Sequence, residues 1–445
     1  MEAHIAPGAR AIEATGVGST PEHLGAAWYA LGVLVAAYLM AYVDKQVIAI
    51  AAAQIGTSLS LTDPQIGMVL GLGAAIFAPL AIILVGFLAD RFSRPLILAI
   101  GISLWSAATA ACGLSQTYNQ LLVASIVRTV GEATLVPIAY ALIPDVFPRR
   151  LWVTGNIVFF VSALLGISIG LASASAALDW FSRNSSPWVA SLGEPWRITM
   201  VAVALPGPLL SLMTLFIRTR YRATVDTQDD ADRLGLVEFA RITWKALAPL
   251  LLAKASLQVA LGGLFAWLVV ALPRQFDIAA TRAGYDFSIA TAVGSVLGVG
   301  AAFILSRRFA DPTSSLGPLK TALGTFSGLI FISPLILAAT SAGQVVAVAG
   351  VIIGLAMGAS SLLPGLVQIL TPSHLRGRAS AAFALVQVFG FGLGSLLVGA
   401  VSGTAYFEGD ALAAIAAVNI ASWLVAAVAI NFTRLTMPAA LEKVQ

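Results

Sequence analysis

Five ionisable side chains interrupt stretches of sequence that are otherwise apolar: Asp44, Lys45, Arg128, Glu132 and Lys254. A charge held away from water is expensive, so each of the five is a functional candidate by default. Arg128 and Glu132 stand four residues apart, which on a helix places them one turn above each other on one face. One guanidinium with two carboxylates within reach suits reversible protonation. A carboxylate drawn out of water holds its proton more tightly, and a guanidinium within ~4–6 Å favours the ionised form. One arginine shared by two acids can therefore favour opposite protonation states in two conformations. The histidines, His4, His23 and His374, fall in a tail or a loop, so any proton carrier inside the apolar stretches is a carboxylate. The same inventory excludes other chemistries. No Gly is followed by Lys, which removes the phosphate-cradling loop of ATP-hydrolysing pumps. Cys112 stands alone and no histidine shares an apolar stretch, so neither a metal site nor a cofactor is expected.

The elements that must position these residues are long and apolar. Of 445 residues, 59% are hydrophobic and only 10% charged, and the mean hydropathy is +0.92. That is too little charge to coat a soluble globule. A membrane-spanning helix needs about 20 apolar residues, and twelve runs qualify: 27–52, 66–88, 96–114, 121–143, 152–178 and 198–217, then 246–272, 289–305, 321–339, 345–370, 379–401 and 411–432. The expected organisation is an N-terminal tail over 1–26 with no cleavable leader, a six-helix bundle over 27–217, a connector over 218–245, a second six-helix bundle over 246–432 and a tail over 433–445. The connector carries Asp226, Asp229, Asp230 and Asp232. Its second half, 234–244, reads equally as an amphipathic helix on the membrane surface or as a plain tether. Eighteen of the 25 basic residues fall in one set of alternating loops and tails, four in the other and three inside spans. The positive-inside rule then puts both termini in the cytoplasm. Basic residues scattered over loops also argue against a nucleic-acid surface, despite a pI near 9.3.

The halves echo each other. Arg91 to Pro95 follows the second span as Arg307 to Pro312 follows the eighth, and parallel halves of this kind build a cavity that can face either side. After the second span comes Gly86-Phe-Leu-Ala-Asp90-Arg91-Phe-Ser-Arg94. This run resembles the loop signature of the major facilitator superfamily. It is expected to act as a conformational latch through Gly86, Asp90, Arg91 and Arg94, with an ordinary positive-inside anchor as the simpler alternative. Four further stretches resemble the Spinster family within that superfamily: Tyr42-Val-Asp44-Lys45-Gln46, Leu61-Thr-Asp-Pro-Gln65-Ile-Gly67, Val130-Gly131-Glu132-Ala133 followed by Pro144-Asp145-Val-Phe147-Pro148, and Gly392-Leu-Gly394-Ser-Leu-Leu-Val398-Gly399. The resemblance implies an all-α membrane protein of twelve transmembrane helices in two bundles around a central cavity. It also implies secondary transport by alternating access in a bacterial inner membrane, since animal members carry lysolipids and sphingoid phosphates and bacterial relatives are proton-linked carriers. Two positions depart from the family: Lys45 stands where an Arg is usual, and Ser125 where the family has Arg seven residues before the fourth-span Glu, with Arg128 one turn later instead.

Counted from the span ends at ~1.5 Å per residue, Asp44 lies about 12 Å deep, Arg128 about 10 Å and Glu132 about 17 Å. In the fold that the resemblance implies, the first and fourth spans line the cavity, so Asp44, Glu132 and Arg128 form one proton-coupling cluster. A static salt bridge pinning two helices is the competing reading. Lys45, about 100° around the helix from Asp44, is expected to face elsewhere. Lys254 either snorkels or faces the cavity, with snorkelling favoured. Candidate substrate contacts are Arg128, Ser125, Tyr42, Lys45, Lys254, Gln258, Trp267, Gln368 and Gln387. A cavity charged on one wall and apolar on the other suits an amphipathic small molecule, bound by a monomer surrounded by membrane lipids and exchanging protons. Alternatives are a symporter of small organic anions or sugar acids and, more remotely, a sensor that keeps the fold without transporting.

Overall fold

Apolar runs of this length leave the backbone few options, because lipid offers no partner to N–H and C=O groups and a helix satisfies them within the segment. The computed structural model describes residues 21–148, 151–184, 193–219, 236–308, 317–371 and 375–444, and among these the chain is helical with no strand. Twelve helices are long and apolar enough to cross a membrane: Leu24–Ser58, Asp63–Ala89, Arg94–Leu114, Tyr118–Val146, Thr154–Arg183, Pro195–Leu215, Arg241–Phe276, Ala280–Arg308, Gly317–Ala338, Ala342–Leu370, Arg378–Ser402 and Ala411–Glu442. Each overlaps one expected span. Most of the expected N-terminal tail, the bulk of the connector with its four aspartates, Arg149 and Arg150, and the Asp90 side chain lie outside the described residues.

Several helices outrun their expected spans, the eighth starting at Ala280 against an expected 289, and the two largest changes fall at the connector and the C-terminal tail. The helix of the seventh span begins at Leu236 and runs unbroken to Phe276, so the end of the expected connector is neither a separate surface helix nor a tether. The last helix continues to Val444. Thr436 Oγ1 on it donates to the Lys245 carbonyl at 2.8 Å, and Met437 is fully buried, so the expected C-terminal tail is docked on the seventh span.

The second span is started by a capping box in which the Thr62 amide donates to Gln65 Oε1 at 2.9 Å, with a proline at its first turn. Its middle widens into a π-turn at Gly73–Phe77. The fourth span breaks at Ala133 and Thr134, directly after Glu132, where Thr134 Oγ1 bonds the Gly131 carbonyl at 2.8 Å. In the first half the first span packs on the fifth and the third on the fourth and sixth; in the second half the seventh packs on the eleventh and twelfth and the eighth on the tenth. The halves meet mainly through the second span on the eleventh and the fifth on the eighth.

These inter-half contacts sit at the end opposite the termini. With no hydrophobic force between helices in lipid, close backbone approach through small residues does the work. A Cβ on Gly71 would come within 2.4 Å of the Gly392 carbonyl oxygen, so neither glycine can carry a side chain without separating the helices. At the same end Arg274 of the seventh span bonds both oxygens of Asp63, at 2.8 and 3.0 Å, and Ser402 of the eleventh donates to Asp63 Oδ2 at 2.7 Å. Nearby, the Ser58 hydroxyl donates to Glu194 at 2.6 Å and is the main reason that this carboxyl is held below its ordinary range.

Candidate functional site

Closed at that end, the halves part towards the end that carries the termini, leaving a cavity of about 860 Å³. Its lining runs from Phe265 and Ser395 at the inner end to Tyr140, Gln368 and Ser380 nearer the termini. Spans one, two and four supply one wall, and spans seven, ten and eleven the other.

The expected cluster assembles. Arg128 Nη1 bonds Glu132 and stands 4.0 Å from Asp44 Oδ2, so the depth match read from helix rise holds in three dimensions. Arg128 and Glu132 line the cavity. Asp44 lies behind them, only 1% exposed, and Thr109 Oγ1 of the third span donates to its Oδ2 at 2.6 Å. Asp44 Oδ1 makes no hydrogen bond to the protein. Arg128 therefore spends its strongest contact on one acid and stands off from the other.

Tyr42, Lys45, Gln368 and Gln387 also line the cavity. Lys45 does not face elsewhere. Its Nζ sits 3.9 Å from the centre of the Phe391 ring on the eleventh span, a cation over an aromatic face. The angular offset from Asp44 is real, but the face of the first span that carries Tyr38, Tyr42, Lys45 and Ala49 is the one on the cavity, and it is Asp44 that points away, towards the third span.

Four other candidates are not among the lining residues. Ser125 turns its hydroxyl back to the Leu122 carbonyl at 2.8 Å, Trp267 donates to the Ser395 carbonyl at 2.9 Å, and Gln258 is buried against Gly390 where spans seven and eleven touch. Lys254 does not snorkel. It is 2% exposed, donates to Ser360 Oγ at 2.8 Å and sits 5.0 Å from the Phe383 ring centre. Buried between spans, its ammonium donates to a hydroxyl on the tenth span instead of reaching polar surroundings.

In the loop signature, Arg94 bonds Asp145 and donates to the Ala141 carbonyl at 2.8 Å, joining the start of the third span to the end of the fourth. Gly86 has open space where a Cβ would stand. Sequence reasoning missed the Arg94–Asp145 pairing, Thr109, and the Tyr38, Gln46, Tyr140 and Phe391 lining. Tyr38, one turn before Tyr42, carried a periodic signal; Thr109 had none to mark it among the many hydroxyls of the spans.

Comparison with known proteins agrees with this architecture. The chain is 25% identical over 381 residues to an MFS-type efflux pump of Mycolicibacterium smegmatis, covering 84% of each. It is 26% identical over 333 residues to a sphingosine-1-phosphate transporter of Xenopus tropicalis, covering 70% of this chain and 61%, less than two thirds, of the relative. Its fold is similar, with a TM-score of 0.74 at 21% identity, to the inward-facing, unoccupied crystal structure of a bacterial homologue of the human lysosomal transporter Spinster, covering 96% of this chain and 99% of that one. The sequence profile of the Major Facilitator Superfamily matches residues 34–395, and the chain, with its twelve spans and its Spinster-like relatives, belongs to that superfamily of transporters.

Proposed function

We propose that the chain is a proton-coupled secondary carrier of an amphipathic molecule with an anionic or polar head, working by alternating access in a bacterial inner membrane. The observation that carries this reading is the position of Arg128 between two acids at the cavity edge. In this conformation Glu132 takes the closer contact with the guanidinium and Asp44, buried 4.0 Å from it, is the less fully neutralised of the two acids, so it is the one that gains by binding a proton. An anionic head entering the cavity competes with Glu132 for Arg128. Released from the guanidinium, Glu132 takes up a proton, and the coupling between head and proton is reciprocal.

The cavity walls support the substrate class. Lys45, Arg128 and Glu132 place charge on the first half's wall, while the other wall carries no charged residue, its apolar Phe265, Ala381, Ala384, Val388 and Phe391 interspersed with Gln368, Gln387 and two serines. Similarity to a sphingosine-1-phosphate transporter supports the same class. One chain encloses the whole cavity, which supports a monomer as the working unit. With the termini in the cytoplasm, the cavity of this conformation faces inward, and Gly86, Asp90, Arg91 and Arg94 serve conformational balance rather than substrate contact.

The test is uptake of a fluorescent lysolipid into liposomes of purified protein, driven only by a pH difference. Asp44→Asn and Glu132→Gln should each reduce accumulation at least tenfold while probe binding persists, and Arg128→Ala should weaken binding of the anionic probe. Accumulation at wild-type rate by the Asp44→Asn, Glu132→Gln double variant would sink the coupling mechanism. Displacement of the probe by small organic acids but not by other lysolipids would favour an organic-anion symporter instead.

A further inference from the structure

On the third span, Thr109 Oγ1 lies 2.6 Å from Asp44 Oδ2 and 3.0 Å from the carbonyl oxygen of Trp105, one turn earlier on its own helix. Thr109 is 0% and Asp44 1% exposed, so bulk water competes at neither. A hydroxyl has one proton to give, and a carbonyl can only accept. Thr109 can therefore donate to Trp105 only if the short contact with Asp44 is donated by a protonated acid. When Asp44 is ionised, the hydroxyl must turn its proton to Oδ2 and release the carbonyl. Trp105 tolerates the exchange, because a carbonyl inside a helix also accepts from the backbone N–H one turn on.

The surroundings make this contact the one that counts. The charged groups facing Asp44 come from the fourth span: Arg128 Nη1 at 4.0 Å, committed to Glu132, and Glu132 itself. Lys45 follows on the same helix but sits over Phe391, and Cys112, three residues beyond Thr109, is a buried thiol. Glu132 also stands within hydrogen-bond reach of Asp44, but an ionised carboxylate can only accept, so among the described residues Thr109 is the donor to the ionised acid.

We infer that Thr109 is a positioning residue for proton exchange at Asp44: its hydroxyl turns with the state of the acid, keeps it hydrogen-bonded in both states, and thereby sets how readily it gives up its proton. This rests on the proposed coupling at Asp44, and it goes beyond that reading by assigning a third span, carrying no charge at the site, to the coupling machinery.

The test needs no substrate. Wild-type protein in vesicles of phosphatidylethanolamine and phosphatidylglycerol is titrated while the C=O band of protonated carboxyl groups is followed by attenuated-total-reflection infrared spectroscopy. The component lost in Asp44→Asn is the band of Asp44. Thr109→Val removes the hydroxyl at nearly constant size, so ionised Asp44 loses its donor. Its band should persist to a pH about one unit higher, a tenfold gain in proton affinity. Thr109→Ser should keep the wild-type midpoint. If the valine variant does not fold, Thr109→Cys, whose thiol donates weakly, should shift the midpoint in the same direction. An Asp44 band that titrates at the wild-type midpoint in both hydroxyl-free variants overturns this inference and leaves the coupling reading standing. No band lost in Asp44→Asn overturns the coupling reading, and this inference with it.

Discussion

At residue scale, the buried charges of this chain separate into two kinds by what they touch. Asp44 and Glu132 both face Arg128, which bonds Glu132 and stands 4.0 Å from Asp44, an arrangement in which a small movement would exchange the partners of the proposed coupling cluster. Lys254 has no acid beside it among the described residues; its amine meets a serine hydroxyl and an aromatic face, both in the second half. That is a clamp among spans seven, ten and eleven, and a lysine is a costly clamp in a dry site, where apolar residues of similar volume often serve stability as well or better. Lys254→Met should therefore leave lysolipid affinity within about twofold and raise the thermal midpoint in detergent by ~2–4 °C, the scale of about 1 kcal/mol in a large chain. A tenfold loss of binding would return Lys254 to the substrate site. The contrast explains what sequence could reveal. The depth of Asp44 against Arg128 was legible because helix rise is fixed and both spans could be located from hydropathy. The partner of Lys254 was not, because Ser360 lies 106 positions away and one hydroxyl resembles another until helices pack.

At the scale of elements, the stretch from Leu61 to Gly67 has a division of labour. Thr62 and Gln65 cap the second span, Gly67 lies against Gly399 of the eleventh, and Asp63 receives Arg274 and Ser402 from the other half. Its first-turn position also gives Asp63 a favourable place at the positive end of the helix dipole. All the inter-half polar contacts of Asp63 close the end opposite the cavity mouth, so they stabilise this conformation and not its alternative. Their loss should shift the balance towards the other state. The Arg274 side chain is 36% exposed, which limits the pair to about 1 kcal/mol, or roughly a fivefold shift. Spin labels at Thr57 and Thr404, on opposite halves at this end, should report a larger long-distance population by double electron–electron resonance in Asp63→Asn and in Arg274→Gln. An unchanged distance distribution in both variants would remove the gating role. In the sequence this stretch stood out only as part of a family resemblance; its cross-half partners were not legible, since no local pattern says which basic residue a loop aspartate will meet.

At the scale of the whole molecule, the spans were the easiest feature to read, because lipid imposes a length and a composition that nothing else in the sequence satisfies. Their ends were harder: the seventh and twelfth helices outrun their apolar cores, held by contacts such as Thr436 with Lys245. The orientation of the whole assembly decides what the cavity means. It opens towards the termini, so a cytoplasmic location of the termini makes this the inward-facing state, ready to receive a solute from inside or to release one there. Eighteen basic residues on the termini side against four on the other drive that assignment, since positively charged loops are retained in the cytoplasm during insertion. Arg274, one of the four exceptions on the other side, is paired with Asp63. The experiment is a single cysteine at Asp230, in the connector, in a Cys112→Ala background; Cys112 is buried, so its removal leaves the surface unchanged. An impermeant maleimide should leave intact cells unlabelled at this site and react fully with inverted membrane vesicles. Labelling of intact cells to the same extent as a control cysteine at Tyr406, in the loop on the opposite side, would reverse the topology, and with it the direction in which this cavity faces.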